Sequence, residues 1–195
     1  ARMTVTVREV APGGNVADFV KAAHVVFKGD PAWVPPLDMD IKDRLHPKKN
    51  PFFQRAEAAY FTAYKGDALV GRITAQIDRE HLKTWNDGTG FFGFFDTVDD
   101  EEVARALVDA AEKWLRRRGI TRMMGPFSLY ANEEAGILVE GFEHPPSIMM
   151  AHSRAWQSRL AEATGLAKEK DLWAWRYDVG PFPDRVLKAW QGVKD

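Results

Sequence analysis

GFFGFFDTVDDEEVARALVDAAEKWLRRRGITRMMGP, residues 90–126, carries the pattern that decides the fold. Its first six residues are apolar on both faces, as in a central strand covered on each side. Asp99 or Asp100 then caps a helix, and Glu101 and Glu102 fill the first turn, where the macrodipole favours negative charge. Val103, Leu107, Ala110, Ala111 and Trp114 make its apolar stripe. Arg116, Arg117 and Arg118 complement the negative end, and Gly119 supplies a left-handed stop. Ile120 to Met124 is a second short apolar strand. A strand, a helix and a strand make a right-handed crossover, so residues 91–96 and 120–125 are predicted to be parallel neighbours.

Working towards the N-terminus, residues 59–64 and 68–77 read as strands joined by a hairpin at Lys65-Gly66-Asp67. Leu69, Gly71, Ile73, Ala75 and Ile77 share one face of the second strand, and Arg72, Thr74 and Gln76 the other. With the run at residue 90 these strands form an antiparallel meander. Residues 4–10 give a first strand, and Asn15 caps a helix whose apolar face is Val16, Phe19, Val20, Ala23 and Phe27. Five prolines between residues 29 and 54 leave room only for a short helix near 38–45, with Trp33, Phe52 and Phe53 as anchors. Towards the C-terminus, residues 125–151 form a loop, and Ser153 caps a helix carrying Trp156, Leu160 and Ala163 and ending at Gly165. The alternation Trp173, Trp175, Tyr177, Val179 reads as a last strand over 172–179. The fold class is therefore α/β (α+β): residues 1–180 read as one domain, and 181–195 as a tail that starts another helix.

The 195 residues are 45% hydrophobic and 28% charged with a net charge of −1, so no whole-chain field recruits nucleic acid or an anionic membrane. Cysteine is absent, which removes disulfides and thiolate nucleophiles. The five histidines show no metal-ligand spacing, so no metal is expected. No apolar run approaches the roughly 18 residues of a membrane span, and no signal-peptide core is present, so a cytoplasmic protein is expected.

The element order resembles the GNAT acyltransferase fold. Ala106-Leu107-Val108-Asp109-Ala110-Ala111, followed by Trp114-Leu115 and Arg118-Gly119, is similar to that family's acyl-CoA-binding helix, and residues 160–166 to its last helix. More narrowly, Trp33-Val34-Pro35-Pro36-Leu37, Pro47-Lys48-Lys49-Asn50-Pro51-Phe52-Phe53, residues 90–95 and Gly125-Pro126 resemble a bacterial GNAT-like group of unassigned function. The resemblance implies an N-acyltransferase that moves an acyl group from acetyl-CoA or another acyl thioester to a small-molecule amine by direct attack. It implies that residues 181–195 would open a second half, and it leaves a homodimer open; the charge and hydropathy above give the expectation of no nucleic-acid and no membrane partner.

Two departures bear on chemistry. The family's phosphate loop, Gln/Arg-x-x-Gly-x-Gly/Ala, falls on residues 99–104, where only Ala104 fits. Asp99, Asp100, Glu101 and Glu102 stabilise a helix start but repel a pyrophosphate, by about 2–3 kcal/mol per charge pair roughly 6 Å apart at an effective dielectric near 20. The tyrosine that many relatives place four residues before the glycine ending the last helix is Ala161 here. A degenerate, non-catalytic binding module is therefore the alternative reading.

Direct attack needs a base and a donor for the oxyanion. By that resemblance Asp96 is a candidate base, and the backbone from Phe95 through Thr97 to Val98 binds the donor, with Ala104 and Asn132. A solvated carboxylate at a strand end is the plain alternative for Asp96. Ligands of open α/β sheets favour the crevice beyond the strands' carboxyl ends, which makes Tyr130, Glu133 and His152 further catalytic candidates. The loop at 33–36 is the expected lid. A purely structural loop explains residues 128–136 as well.

Overall fold

The computed structural model describes residues 4–176, 178 and 180–194. Five strands form one sheet in the order β1-β2-β3-β4-β5: Val5–Val10, Ala56–Lys65, Ala68–Asp78, Thr89–Thr97 and Arg122–Met124. The first four are antiparallel, and β4 with β5 is the parallel pair expected from the sequence. β2 and β3 meet across Gly66-Asp67, where Gly66 has φ +59°. Helices α1 (Ala17–Val26) and α2 (Asp38–Arg44) cover one face of the sheet; α4 (Glu101–Arg116) and α5 (Gln157–Ala163) cover the other. A short α3 (Arg79–Trp85) links β3 to β4, and α6 (Asp184–Lys194) is an exposed tail helix.

The core follows the sequence periodicities. On α4, Val103, Leu107, Ala111 and Trp114 are buried against Phe61, Ile73, Ala75, Phe92 and Phe95. Asp100 caps α4, accepting from the N–H groups of Glu102 (3.0 Å) and Val103 (3.4 Å). On the other face Phe19 and Val20 of α1 pack with Ile41, Leu45, Tyr60 and Phe94. The polar face of β3 is buried as well: Arg72, Thr74 and Gln76 are 7%, 0% and 0% exposed.

Several expectations need correction. Ser153 does not cap α5; its hydroxyl accepts from the Leu138 N–H (3.1 Å) and ties two loops together. Asn15 accepts from Ala17 N–H at 3.0 Å, one turn position before α1 is capped by Val16. Helix α3 was not foreseen. The strand expected at 172–179 does not form among its described residues, where Trp173 and Trp175 stack on each other in exposed, irregular chain. Alternation makes a segment able to extend, but a strand also needs a neighbour, and the sheet ends at β5. Tyr177 and Val179 lie outside the described residues.

Two features of β4 position everything that follows. First, its register against β3 slips between Arg72, which faces Asp96, and Thr74, which faces Gly93. Two residues, Phe94 and Phe95, therefore stand opposite Ile73, and Phe94 takes the left-handed φ of +45°. This bulge re-phases the strand. Gly93 and Phe94 point to the α1 side, Phe95 to the α4 side, and Asp96 returns to the face of Arg72. Second, β5 pairs with β4 only from Thr89↔Arg122 to Phe91↔Met124. Beyond that the chain leaves the sheet edge and crosses over β4.

Candidate functional site

That crossing strap is built by hydrogen bonds. Phe127 N–H donates to Phe92 O (2.7 Å), and the buried Gln76 amide donates to both Phe127 O (2.7 Å) and Leu129 O (3.0 Å). Ser128 N–H to Glu134 O and Gly136 N–H to Pro126 O, each 2.9 Å, close residues 126–136 into a small hairpin. Only glycine fits beneath it, since a Cβ on Gly93 would lie 1.9 Å from Phe127 O.

Between this hairpin, the α1–α2 loop and residues 146–153 lies a cavity of about 450 Å³ at the carboxyl end of β4. Its floor is polar. Arg72 donates through Nε to Asp96 Oδ2 (2.7 Å) and through Nη1 to Phe19 O (3.2 Å), with its guanidinium 5.1 Å from the ring centres of both Phe19 and Phe94. Asp40 and Glu134 also line it, and Glu134 is paired from behind with Arg44 Nη1 at 3.4 Å. The rim is apolar: Val34, Leu37, Ile148, Met149 and Met150 are exposed around it. Trp33 stacks on Phe27 at 5.0 Å and 17°, which pins the proline-rich loop to α1.

On the wall between the loop and residue 153, His152 Nε2 lies 3.0 Å from Asp30 Oδ2, and Arg154 Nη1 lies 3.2 Å from the same oxygen. The His152 side chain is 4% exposed, and its Nδ1 is buried with no hydrogen-bond partner. Asp30 Oδ1 accepts from Ala32 N–H (3.0 Å), an Asx turn across Pro31. Burial pushes the Asp30 carboxyl up, but the hydrogen bonds from His152, Ala32 and Arg154 outweigh it and hold the group below its ordinary range.

The structure brings Phe95, Asp96 and His152 together in this cavity and sends the other candidates elsewhere. Asp96 is not a solvated carboxylate, because Arg72 holds it. Tyr130 and Asn132 line a separate cavity of about 200 Å³ with Arg55, Asp78 and His81. Tyr130 stacks there on Phe52 (5.8 Å, 12°), which makes it an anchor of the hairpin. Glu133 turns away to Arg44 Nε (2.9 Å), while its neighbour Glu134 faces the larger cavity. Burial raises the Glu133 carboxyl, with Arg44 opposing and Glu134 reinforcing the shift.

At Thr97 and Val98 the backbone expected to receive a donor is already bonded. Thr97 O accepts from Trp156 Nε1 (2.9 Å), Thr97 N–H donates to Gln157 Oε1 (3.4 Å), and Val98 N–H donates to Val70 O (3.0 Å). Ala104 is fully buried against the sheet, so its side chain is not available to a ligand. The start of α4 is filled by its own carboxylates: Asp100 also pairs with Lys65, and Asp99 with Arg159. Burial raises the Asp100 carboxyl, but Lys65 and the capped N–H groups hold it below the ordinary range. Sequence reasoning missed Asp30, Arg72, Glu134 and Arg154. An aspartate before proline was the available sign of the Asx turn, and an arginine within a strand's alternation was the sign of a buried partner. Among the described residues no group of three or more histidines and carboxylates is placed to hold a metal ion, and no helix is long and apolar enough to cross a membrane.

A mixed sheet whose parallel pair parts beyond Phe91, with a cavity at the parting, is the GNAT acetyltransferase architecture. The fold is shared with the aminoglycoside acetyltransferase meta-AAC0020 from an uncultured soil metagenomic sample, solved with sisomicin, at a TM-score of 0.51 and 11% identity over 90% of this chain and 97% of that one. It is shared too with the aminoglycoside N-acetyltransferase AAC(6')-Iy, solved with CoA, at a TM-score of 0.50 and 13% identity over 92% of this chain and 98% of the other. In sequence the chain is 45% identical over 157 residues to a bacterial ceramide synthase of Caulobacter vibrioides (strain NA1000 / CB15N), and 39% identical over 169 residues to protein YghO of Escherichia coli (strain K12). These alignments cover 80% and 87% of this chain but 41% and 43% of the relatives, so the chain spans less than half the length of the curated relatives it matches. No protein-family model matches it.

Proposed function

We propose that this domain is an N-acyltransferase that moves an acyl group from a thioester to the amine of an amphipathic acceptor. The observation that carries this reading is the two-part lining of the 450 Å³ cavity at the end of β4. Asp96 is paired with Arg72, and Glu133 and Glu134 share Arg44, so with Asp40 the carboxylates at this lining outnumber the guanidiniums and favour a cationic ammonium, while an exposed apolar rim favours an alkyl chain on the same molecule. The name of the Caulobacter relative agrees, since a ceramide is an amide between a fatty acyl group and a long-chain amino alcohol.

The filled α4 N-terminus means the donor is held mainly through its acyl chain and thioester rather than through a pyrophosphate. The protein incubated with acyl-CoA thioesters of graded length and a long-chain primary amine should release thiol and form amide, followed by a thiol reagent and mass spectrometry. Turnover should rise with the apolar length of the amine. Equal turnover of short and long amines would overturn the acceptor class. No transfer with any thioester, carrier-protein thioesters included, would leave a non-catalytic binding module as the better reading.

A further inference from the structure

We propose that His152 is the general base of the transfer, with Asp30 as the residue that orients it; the proposal rests on the acyltransferase reading above. An ionised carboxylate only accepts hydrogen bonds, so the 3.0 Å contact with Asp30 Oδ2 needs a proton on Nε2, which in the uncharged ring is the Nε2–H tautomer. The bare lone pair then sits on Nδ1. That nitrogen is buried and unpartnered, in a residue that lines the cavity. Buried polar atoms are normally satisfied, so an unpartnered acceptor in a residue that lines a cavity suits a proton donor supplied by a ligand.

The neighbours fit the role. Arg154, sharing Oδ2 at 3.2 Å, keeps Asp30 charged, so Asp30 fixes the ring without competing for its proton. The Phe27 ring, 5.6 Å from the imidazole, backs the ring on the α1 side. The other charged groups lining the cavity are Asp40, Arg72, Asp96 and Glu134. Asp96 is held by Arg72 and Glu134 by Arg44, so each already spends its carboxylate on a guanidinium. The step balances as follows. Nδ1 takes one proton from the acceptor ammonium, and the freed lone pair on nitrogen forms the C–N bond. The C–S bond breaks with its electron pair on sulfur. The second amine proton passes to the thiolate, and the proton on His152 returns to water.

Two measurements test this. In histidine-labelled protein, nitrogen NMR should find His152 in the Nε2–H tautomer, with its Nδ1 resonance moved by dodecylamine in the absence of any donor. An Nδ1–H tautomer, or no response to saturating amine, would overturn the assignment. In acyl transfer, His152→Gln, whose amide still donates to Asp30 but has no basic nitrogen, should lower kcat about 100-fold with KM within about threefold. Asp30→Asn should lower kcat about tenfold and, in the same nitrogen NMR, leave the His152 ring no longer fixed in the Nε2–H tautomer, because the carboxylate that accepts that proton is gone. A His152→Gln enzyme keeping more than a third of wild-type kcat sinks the base alone. Absence of transfer by wild type sinks the acyltransferase reading and the catalytic role with it.

Discussion

Gly93→Ala puts a methyl group where the strap lies: 1.9 Å from Phe127 O, 2.5 Å from Phe127 C and 3.1 Å from Ser128 Cα. All three are backbone atoms, so no side chain can rotate out of the way. The hairpin of residues 126–136 must lift off β4, breaking the Phe127–Phe92 bond and the two Gln76 bonds. Each is worth roughly 1 kcal/mol net, and the fully buried Gln76 amide would be left without its acceptors, which adds to the loss. The expected cost is about 3–5 kcal/mol, a large share of a typical 5–15 kcal/mol stability. Gly29→Ala is the control, because its φ of +79° is unfavourable for alanine but nothing lies within 4 Å of the new Cβ. It should cost about 1 kcal/mol. Urea unfolding followed by tryptophan fluorescence gives both values. A Gly93→Ala protein within about 1 kcal/mol of wild type would refute the claim that the strap is clamped onto the strand.

Acetyl-CoA should bind with a dissociation constant above about 10 µM, because Asp100 already occupies the α4 amides and three further carboxylates surround it; calorimetry showing tighter binding than about −7 kcal/mol would be incompatible with this. Arg72→Met should cost about 3–5 kcal/mol by stranding Asp96, 13% exposed, and a second change, Asp96→Leu, should restore part of it in a double-mutant cycle. The folded-state pKa of Asp30 lies below its unfolded value, so its ionised form favours folding above about pH 4, and that contribution is lost as pH falls through the folded value. Asp30→Asn should therefore show a shallower loss of urea midpoint below about pH 4 than wild type, and parallel curves would contradict this. Glu133 carries the opposite sign: burial raises its pKa, so protonating it relieves the fold.

The parallel pair and α4 were legible because strand, caps and stripe lie within one short stretch, where periodicity reports burial directly. Helix α3 was not, although Asp78 caps it through Glu80 N–H (3.0 Å) and Asn86 ends it at φ +46°. It buries no residue, so it has no apolar stripe for periodicity to detect. The bulge at Phe94 was equally hidden. Strict alternation from Phe92 would put Asp96 on the α4 face, and only the extra residue turns it towards Arg72. The cavity's place at the strand ends could be read from topology, but its chemistry could not. Asp30 and His152 are 122 residues apart, and no local pattern pairs them. Glu133 and Glu134 are indistinguishable in sequence, and it is the Ser128–Glu134 backbone bond that decides which one faces inwards.

Asp30 has a consequence for how the molecule opens. It ties the α1–α2 loop to residues 152–154 through a single carboxylate, with no strand pairing between the two segments. The sheet beneath is held by backbone ladders along the pairs from β1 to β4. Release of Asp30 leaves the Phe27–His152 ring contact as the remaining tie between these walls, so they should part while the ladders stay closed, a sub-global opening far below the cost of global unfolding. Backbone amides at Ala32 and Gln157 should then exchange hydrogen with solvent well before those of β2 and β3. Acid, which neutralises Asp30, should widen that difference, so the cavity at the end of β4 would open at a pH where the sheet remains intact.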